Sequence, residues 1–183
     1  MILKNIKLDV DFDFLLSADY SQHYGSCISY QKREQEDIHE DMAKGFPKSY
    51  HEENTVIQQI WFDDGQVDYA DLGRQLNMEV ITVSTILQPP GNVITLHRDT
   101  FFQIKKKYPE RAKEKMVRAN VYLEDWKPGH IIQYKDLDNE WKNSTHWTQG
   151  DGFLWDSDIL HIGANIGLTP KYTLQISGFY KGE

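Results

Sequence analysis

The chain has 183 residues, 39% of them hydrophobic and 13% aromatic, and a formal net charge of −8. That length suits one domain with a real core and is short for two, and the composition excludes a disordered chain. The negative balance makes nucleic acid or an anionic membrane surface an unfavourable partner.

Cys27 is the only cysteine, which rules out an internal disulfide and a cysteine-rich zinc site. No run of about 18 apolar residues is present to span a bilayer, and no apolar segment of signal-peptide type follows Met1. The expectation is a soluble, cytoplasmic chain.

In chain order, residues 4–14 alternate loosely (Ile6, Leu8, Val10, Phe12, Phe14) and read as a strand. Residues 32–44 are charged, with Ile38 and Met42 one helical turn apart, and read as a short helix ending near Gly45. Residues 68–76 read as a second helix with Asp68 as its N-cap. From Val80 the pattern becomes short extended runs at 80–88, 92–97, 117–124, 130–134, 153–155, 158–165 and 171–179. Turn residues separate them at Pro89-Pro90-Gly91, Lys127-Pro128-Gly129, Gly150-Asp151-Gly152 and Gly167-Leu168-Thr169-Pro170. Many short strands with turns between them predict a mainly β sandwich or barrel. Between two of the runs lies one basic region, Lys105-Lys106-Lys107 followed by Arg111, Lys113, Lys115 and Arg118, read as a solvated surface segment.

Successive strand side chains point to opposite faces. Val117, Ala119, Val121 and Leu123 then share one face, opposite Arg118, Asn120 and Tyr122. Lys171, Thr173, Gln175 and Ser177 oppose Tyr172, Leu174 and Ile176. His161, Gly163 and Asn165 oppose Leu160, Ile162 and Ala164, while Thr95, His97 and Asp99 oppose Ile94 and Leu96. An ordinary sheet with one wet face shows the same alternation. What the polar faces contain goes further: His97-Arg98-Asp99, then His161 sixty-four residues on, then Lys171 ten beyond that.

His-x-Asp plus a distant His is the ligand set of the facial triad, which holds non-haem Fe(II) and leaves three coordination positions open. A bidentate 2-oxo acid would take two of those and O2 the third, and Lys171 is placed to clamp a dicarboxylate co-substrate. A second His-x-Asp, His39-Glu40-Asp41, falls in the helical stretch 32–44. On a helix, residues two apart differ by about 200° and do not converge on one ion, so that pair reads as solvated surface. His23, His51, His130 and His146 have no comparable partners and read as surface or hydrogen-bonded core residues.

With these residues in view, the chain resembles the 2-oxoglutarate/Fe(II)-dependent oxygenases of the double-stranded β-helix (jelly-roll, cupin-like) fold. It looks most like their aspartyl/asparaginyl β-hydroxylase branch. The likeness covers about residues 80–180. It rests on Pro90-Gly91 six residues before His97, Arg118-Ala119-Asn120-Val121, Trp155-Asp156 ahead of His161, Asn165 four residues after it, and the cation at Lys171. The resemblance implies one oxygenase domain, with 1–79 a supporting region whose helices pack outside a core at 80–180. It implies metal ligation and catalysis at His97, Asp99 and His161, and a distal-carboxylate contact at Lys171, a Lys that is prolyl-hydroxylase-like. Arg118 and Asn120 would meet the co-substrate's other end, and Ser84 would replace a serine that the branch has where Ile86 stands here.

The chain departs from the branch in carrying the carboxylate ligand Asp99, which also separates it from the halogenases of the superfamily, and in a longer insert between Asp99 and Arg118. The expected activity is hydroxylation of an unactivated C–H bond in a peptide side chain or a small molecule, with release of succinate and CO2. The alternatives are a cupin-like module that binds metal or co-substrate without turnover, and an interaction protein whose triad is accidental. Residues 105–115, Tyr108, Trp126 and Trp141 are expected to shape the entrance.

Overall fold

A computed structural model describes residues 2–28, 48–135 and 138–182. The helix expected at 32–44, and with it His39 and Asp41, lies outside the described residues. Eleven strands and three short α-helices are described: β1 (Ile2–Lys7), α1 (Phe12–Leu16), β2 (Tyr24–Ser26), β3 (Val56–Phe62), α2 (Tyr69–Leu76), β4 (Met78–Gln88), β5 (Asn92–His97), α3 (Phe102–Lys107), β6 (Met116–Tyr122), β7 (His130–Lys135), β8 (Trp141–Ser144), β9 (Asp151–Asp156), β10 (His161–Asn165) and β11 (Lys171–Tyr180). All strand pairs are antiparallel. They form a seven-stranded sheet, β1-β9-β6-β11-β4-β3-β2, and a four-stranded sheet, β5-β10-β7-β8. The fold is a mainly β jelly roll, as expected. No described helix is long and apolar enough to cross a membrane.

Three strands before residue 80 join the large sheet, and of these only the first was expected from the sequence. β1 closes one edge of the large sheet against β9, and β2 and β3 close the other, so residues before 80 supply strands as well as helices. The strand expected over 4–14 ends at Lys7. The Asp11 carboxylate then accepts a hydrogen bond from the Phe14 N–H at 2.9 Å and starts α1 instead. Asp68 caps α2 in the same way, from the Asp71 N–H at 2.8 Å. α3 was not anticipated because it lacks a cap residue: Phe101, with φ +53°, stands where a Ser or Asp would have signalled the start.

The two faces of the large sheet divide the work. Val117, Ala119 and Val121 of β6, Leu154 of β9, Leu174 and Ile176 of β11 and Val83 of β4 expose no surface. They pack with Leu15 of α1 and with Leu72 and Leu76 of α2, so the main core lies between the sheet and the two helices. Leu154→Ala is expected to cost about 3 kcal/mol and to lower the thermal midpoint by about 10 °C. Leu168→Ala, at a 95% exposed turn residue, should leave that midpoint unchanged in the same circular-dichroism melt.

The opposite face of the large sheet looks toward the small sheet, and register turns it into polar rows. One row runs Trp155–Arg118–Ser177–Thr82 and the next Phe153–Asn120–Gln175–Ser84. The turn at Gly129 has φ +89°, and a Cβ there would lie 2.3 Å from the backbone N of Gly167. This close approach ties the β6–β7 connection to the β10–β11 turn just before Lys171.

Candidate metal centre and co-substrate recess

β5 and β10 pair so that His97 lies opposite His161, with ring centroids 4.1 Å apart. The next pair is Gly163 with Ile94, three steps back along β5 against two along β10. This one-residue bulge breaks the expected alternation. Ile94 comes to the cavity side with His97, and Thr95 turns away, its backbone N–H donating to Cys27 Sγ. β5 ends at His97, and Asp99 follows in an irregular segment that brings it back to the same side. Nitrogen or oxygen atoms of His97, Asp99 and His161 all lie within 4.8 Å of one another.

The three side chains are held in the state a cation requires. His97 Nδ1 is 2.7 Å from Thr95 O and His161 Nδ1 is 3.2 Å from Ile159 O. A carbonyl only accepts, so each Nδ1 carries the hydrogen and each Nε2 presents a lone pair. Burial, together with His161 and Arg118, pushes the His97 imidazolium down to about 3. Burial and Arg118 lower His161 as well. Burial works to raise Asp99, but Arg118, the two imidazoles and the Trp155 N–H outweigh it and hold the carboxyl at about 2. At neutral pH the cluster is therefore two neutral imidazoles and one carboxylate, the donor set described for non-haem iron.

Asp99 is 4% exposed. Its Oδ2 accepts from Trp155 Nε1 at 2.9 Å, and its Oδ1 accepts from Arg118 Nη1. Arg118 is steadied by donating from Nε to Ser177 Oγ at 3.0 Å. The sequence placed Trp155 near the site without giving it a task. Its role comes from the β9–β6 register beside Arg118, which no local pattern announces.

Lys171 opens β11 and is 3% exposed. Its Nζ donates to Ile131 O at 3.0 Å and Ala164 O at 3.3 Å, and no carboxylate pairs with it among the described residues. Burial alone brings its ammonium down to about 7. Lys171, Thr173, Gln175, Asn120, His97 and His161 line one recess, walled by Ile86, Ile94, Ile132 and Trp155. The Asn120 amide takes a hydrogen bond from Gln175 Nε2 at 3.2 Å, but its own Nδ2 is buried with no partner. A buried cation and a buried orphan donor in one recess are what an oxygen-rich anion would satisfy.

The four residues expected to hold the co-substrate thus separate. Lys171 and Asn120 line the recess. Arg118 lies on the other side of the metal cluster, bound to Asp99 and Ser177. Ser84 is buried and accepts from Gln59 Nε2 at 3.0 Å, lining neither cavity. Thr173 and Gln175 were legible as site residues from their shared face with Lys171.

A cleft of about 740 Å³ opens onto His97, Asp99 and Arg118, large enough for a drug-sized molecule. Its rim is not the one expected. Trp61 of β3 and Phe101 and Phe102 at the start of α3 line it. Tyr108 instead packs on Phe179, Trp126 stacks on His146, and Trp141 lies beside Lys135.

No protein-family model matches the chain, and no curated protein does. Solved structures do. A Pseudomonas putida prolyl-4-hydroxylase superposes with a TM-score of 0.57 at 18% identity, over 98% of this chain and 92% of that one. A predicted oxalate decarboxylase from Thermotoga maritima gives a TM-score of 0.41 at 13% identity, over 68% and 81%, a likeness too slight to argue from. Across nearly its whole length, then, this chain shares the fold of a prolyl-4-hydroxylase.

Proposed function

We propose that the protein is an Fe(II)- and 2-oxoglutarate-dependent dioxygenase that hydroxylates an unactivated C–H bond. The observation that carries this reading is the adjacency of two features, joined where His97 and His161 line the same recess as Lys171. The first is a two-His, one-carboxylate cluster with both Nε2 atoms free of hydrogen. The second is a buried ammonium with no carboxylate partner among the described residues. The fold shared with a prolyl-4-hydroxylase is in keeping with it.

His97, Asp99 and His161 would hold the metal, and bound iron would supply the redox chemistry that couples oxidative decarboxylation of 2-oxoglutarate to substrate oxidation. Lys171 would pair with the distal carboxylate, and the idle Asn120 Nδ2 would donate to a co-substrate oxygen. The apolar walls Ile86, Ile94 and Ile132 would keep water from that end. Arg118 and Trp155 would fix the Asp99 carboxylate so that it does not rotate as the metal binds. This assigns Arg118 to the ligand first; only its remaining nitrogen is left for a co-substrate contact. Ser84 would act at one remove, through Gln59. Lys171 likens the site to the prolyl hydroxylases, whereas the aspartyl/asparaginyl likeness rests on sequence alone.

The decisive measurement is succinate release by the purified, Fe(II)-loaded protein in the presence of O2. Succinate that depends on both iron and 2-oxoglutarate is the expected result. Stoichiometric metal and 2-oxoglutarate binding with no succinate would leave a binding module in place of an enzyme.

A further inference from the structure

The cleft over the metal cluster has a charge opposite to that of the chain. Acidic residues outnumber basic ones 28 to 20, yet among the described residues lining the cleft the only acid is Asp99. Asp99 is already engaged by Arg118 and belongs to the ligand cluster. That leaves Arg98 as the cleft's uncompensated charge. Arg98 is exposed, and it makes no ion pair or hydrogen bond among the described residues. Its neighbours on either side, His97 and Asp99, belong to the cluster, so its backbone is held at the cleft wall.

The rest of the wall describes the body of the molecule that would fit. Trp61 is 56% exposed although it sits on a sheet strand, and Phe102 shares the same cleft. A large indole half open to water inside a concave site is a surface awaiting an apolar partner. Gln59, Gln103 and Gln175 add neutral polar groups.

We propose that the primary substrate is a small organic acid, its carboxylate held by Arg98 and its apolar body lying against Trp61 and Phe102, which would bring a C–H bond toward the His97 and Asp99 end of the cleft. This rests on the oxygenase reading for the chemistry but not for the binding. The guanidinium suits a planar carboxylate through paired N–H donors. The cleft's volume suits a free small molecule, and with Asp99 already engaged by Arg118 no other acid among the described lining residues favours a cationic one. A carboxylate on a polypeptide offers the same head group, so the test separates the two sources.

The probes are 3-phenylpropanoate and its uncharged amide, titrated calorimetrically into protein loaded with Mn(II) and 2-oxoglutarate. The acid should bind at least about tenfold tighter than the amide, the range of one charge-assisted contact at a partly open site. Arg98→Gln should erase most of that preference, Arg98→Lys should keep part of it, and Trp61→Leu should weaken acid and amide alike. Equal binding of the two probes, binding of neither, or a preference that survives Arg98→Gln overturns the proposal. A second pair, N-acetyl-Phe-Glu-Phe-amide and its Gln counterpart, tests the other source. An Arg98-dependent preference there, without one for the free acid, overturns the small-acid assignment. Repeating the titration without metal distinguishes the two levels. An Arg98-dependent preference in a protein that fails to bind Mn(II) would sink the oxygenase reading and leave the anion site standing.

Discussion

His161→Ala is expected to abolish tight binding of one Mn(II) per chain while the protein stays folded. The cluster has three ligands, and two of them, His161 and Asp99, are 6% and 4% exposed. A cation left with His97 and Asp99 alone would have to complete its shell with water inside a largely buried site. Losing a partner that merely orients a ligand typically costs about 10–100-fold in metal affinity, so losing a ligand should cost more than a hundredfold. Asp99→Ala should do the same and should also leave the Arg118 guanidinium facing the metal position without its counter-charge. His51→Ala, at an exposed histidine, is the control. Titration of Mn(II) followed by electron paramagnetic resonance reads all three, and tight one-to-one binding by His161→Ala would mean that the metal sits elsewhere.

Replacing Lys171 should act on binding and on stability in opposite directions. Removing one partner of a buried ion pair costs roughly 3–5 kcal/mol, or about two to four decades in affinity. Lys171→Ala and Lys171→Met should therefore weaken 2-oxoglutarate binding at least a hundredfold with Mn(II) binding nearly intact. Lys171→Arg should be milder, since it keeps the charge but brings a bulkier head group, and Lys181→Ala, ten residues on, should be silent. Without co-substrate, the buried ammonium has two carbonyls as its partners among the described residues. Lys171→Met should then stabilise the metal-free protein at pH 7, by something on the order of 2 kcal/mol.

The pH dependence follows from the same residue. Its value falls from 10.5 in the open to about 7 when folded. Between those limits the unfolded chain binds more protons than the folded one, so stability rises as pH rises through that window. Under the proposed function the co-substrate would pair with the protonated amine, so its affinity is expected to fall above about pH 7. The titratable groups facing Lys171 are His130 from β7, His161 from β10 and His97 from β5, all with values lowered by burial. Lys171→Met should flatten both slopes. If 2-oxoglutarate binds that variant as it binds the parent, its distal carboxylate is not held here.

The meeting of His97, Asp99 and His161 was legible in the sequence because each lies on or beside an extended segment, where spacing suggests direction. The extended-strand rule pointed to His97 and Asp99, although Asp99 reaches the same side through an irregular segment beyond β5, and the other His-x-Asp, His39 and Asp41, lies outside the described residues. The outward core was equally legible: Val117, Ala119 and Val121 are fully buried, as their alternation requires. What failed depended on register or on missing local signals. Ile94 was assigned to the wrong side because a bulge is a property of two strands, not one. Trp155 meets Asp99 only through the pairing of β9 with β6. β3, with Gln58 and Gln59 in its middle, has no clean apolar alternation, yet it brings Trp61 to the cleft.

Both histidines donate Nδ1–H to the main-chain carbonyl two residues upstream on their own chain segment, Thr95 O and Ile159 O. Main-chain oxygens do not depend on which side chain occupies position 95 or 159. Any substitution there that preserves the local backbone path keeps both rings aimed as they are. The ligand geometry is thus insulated from sequence drift, and it needs only the ligand side chains and the jelly-roll backbone to persist.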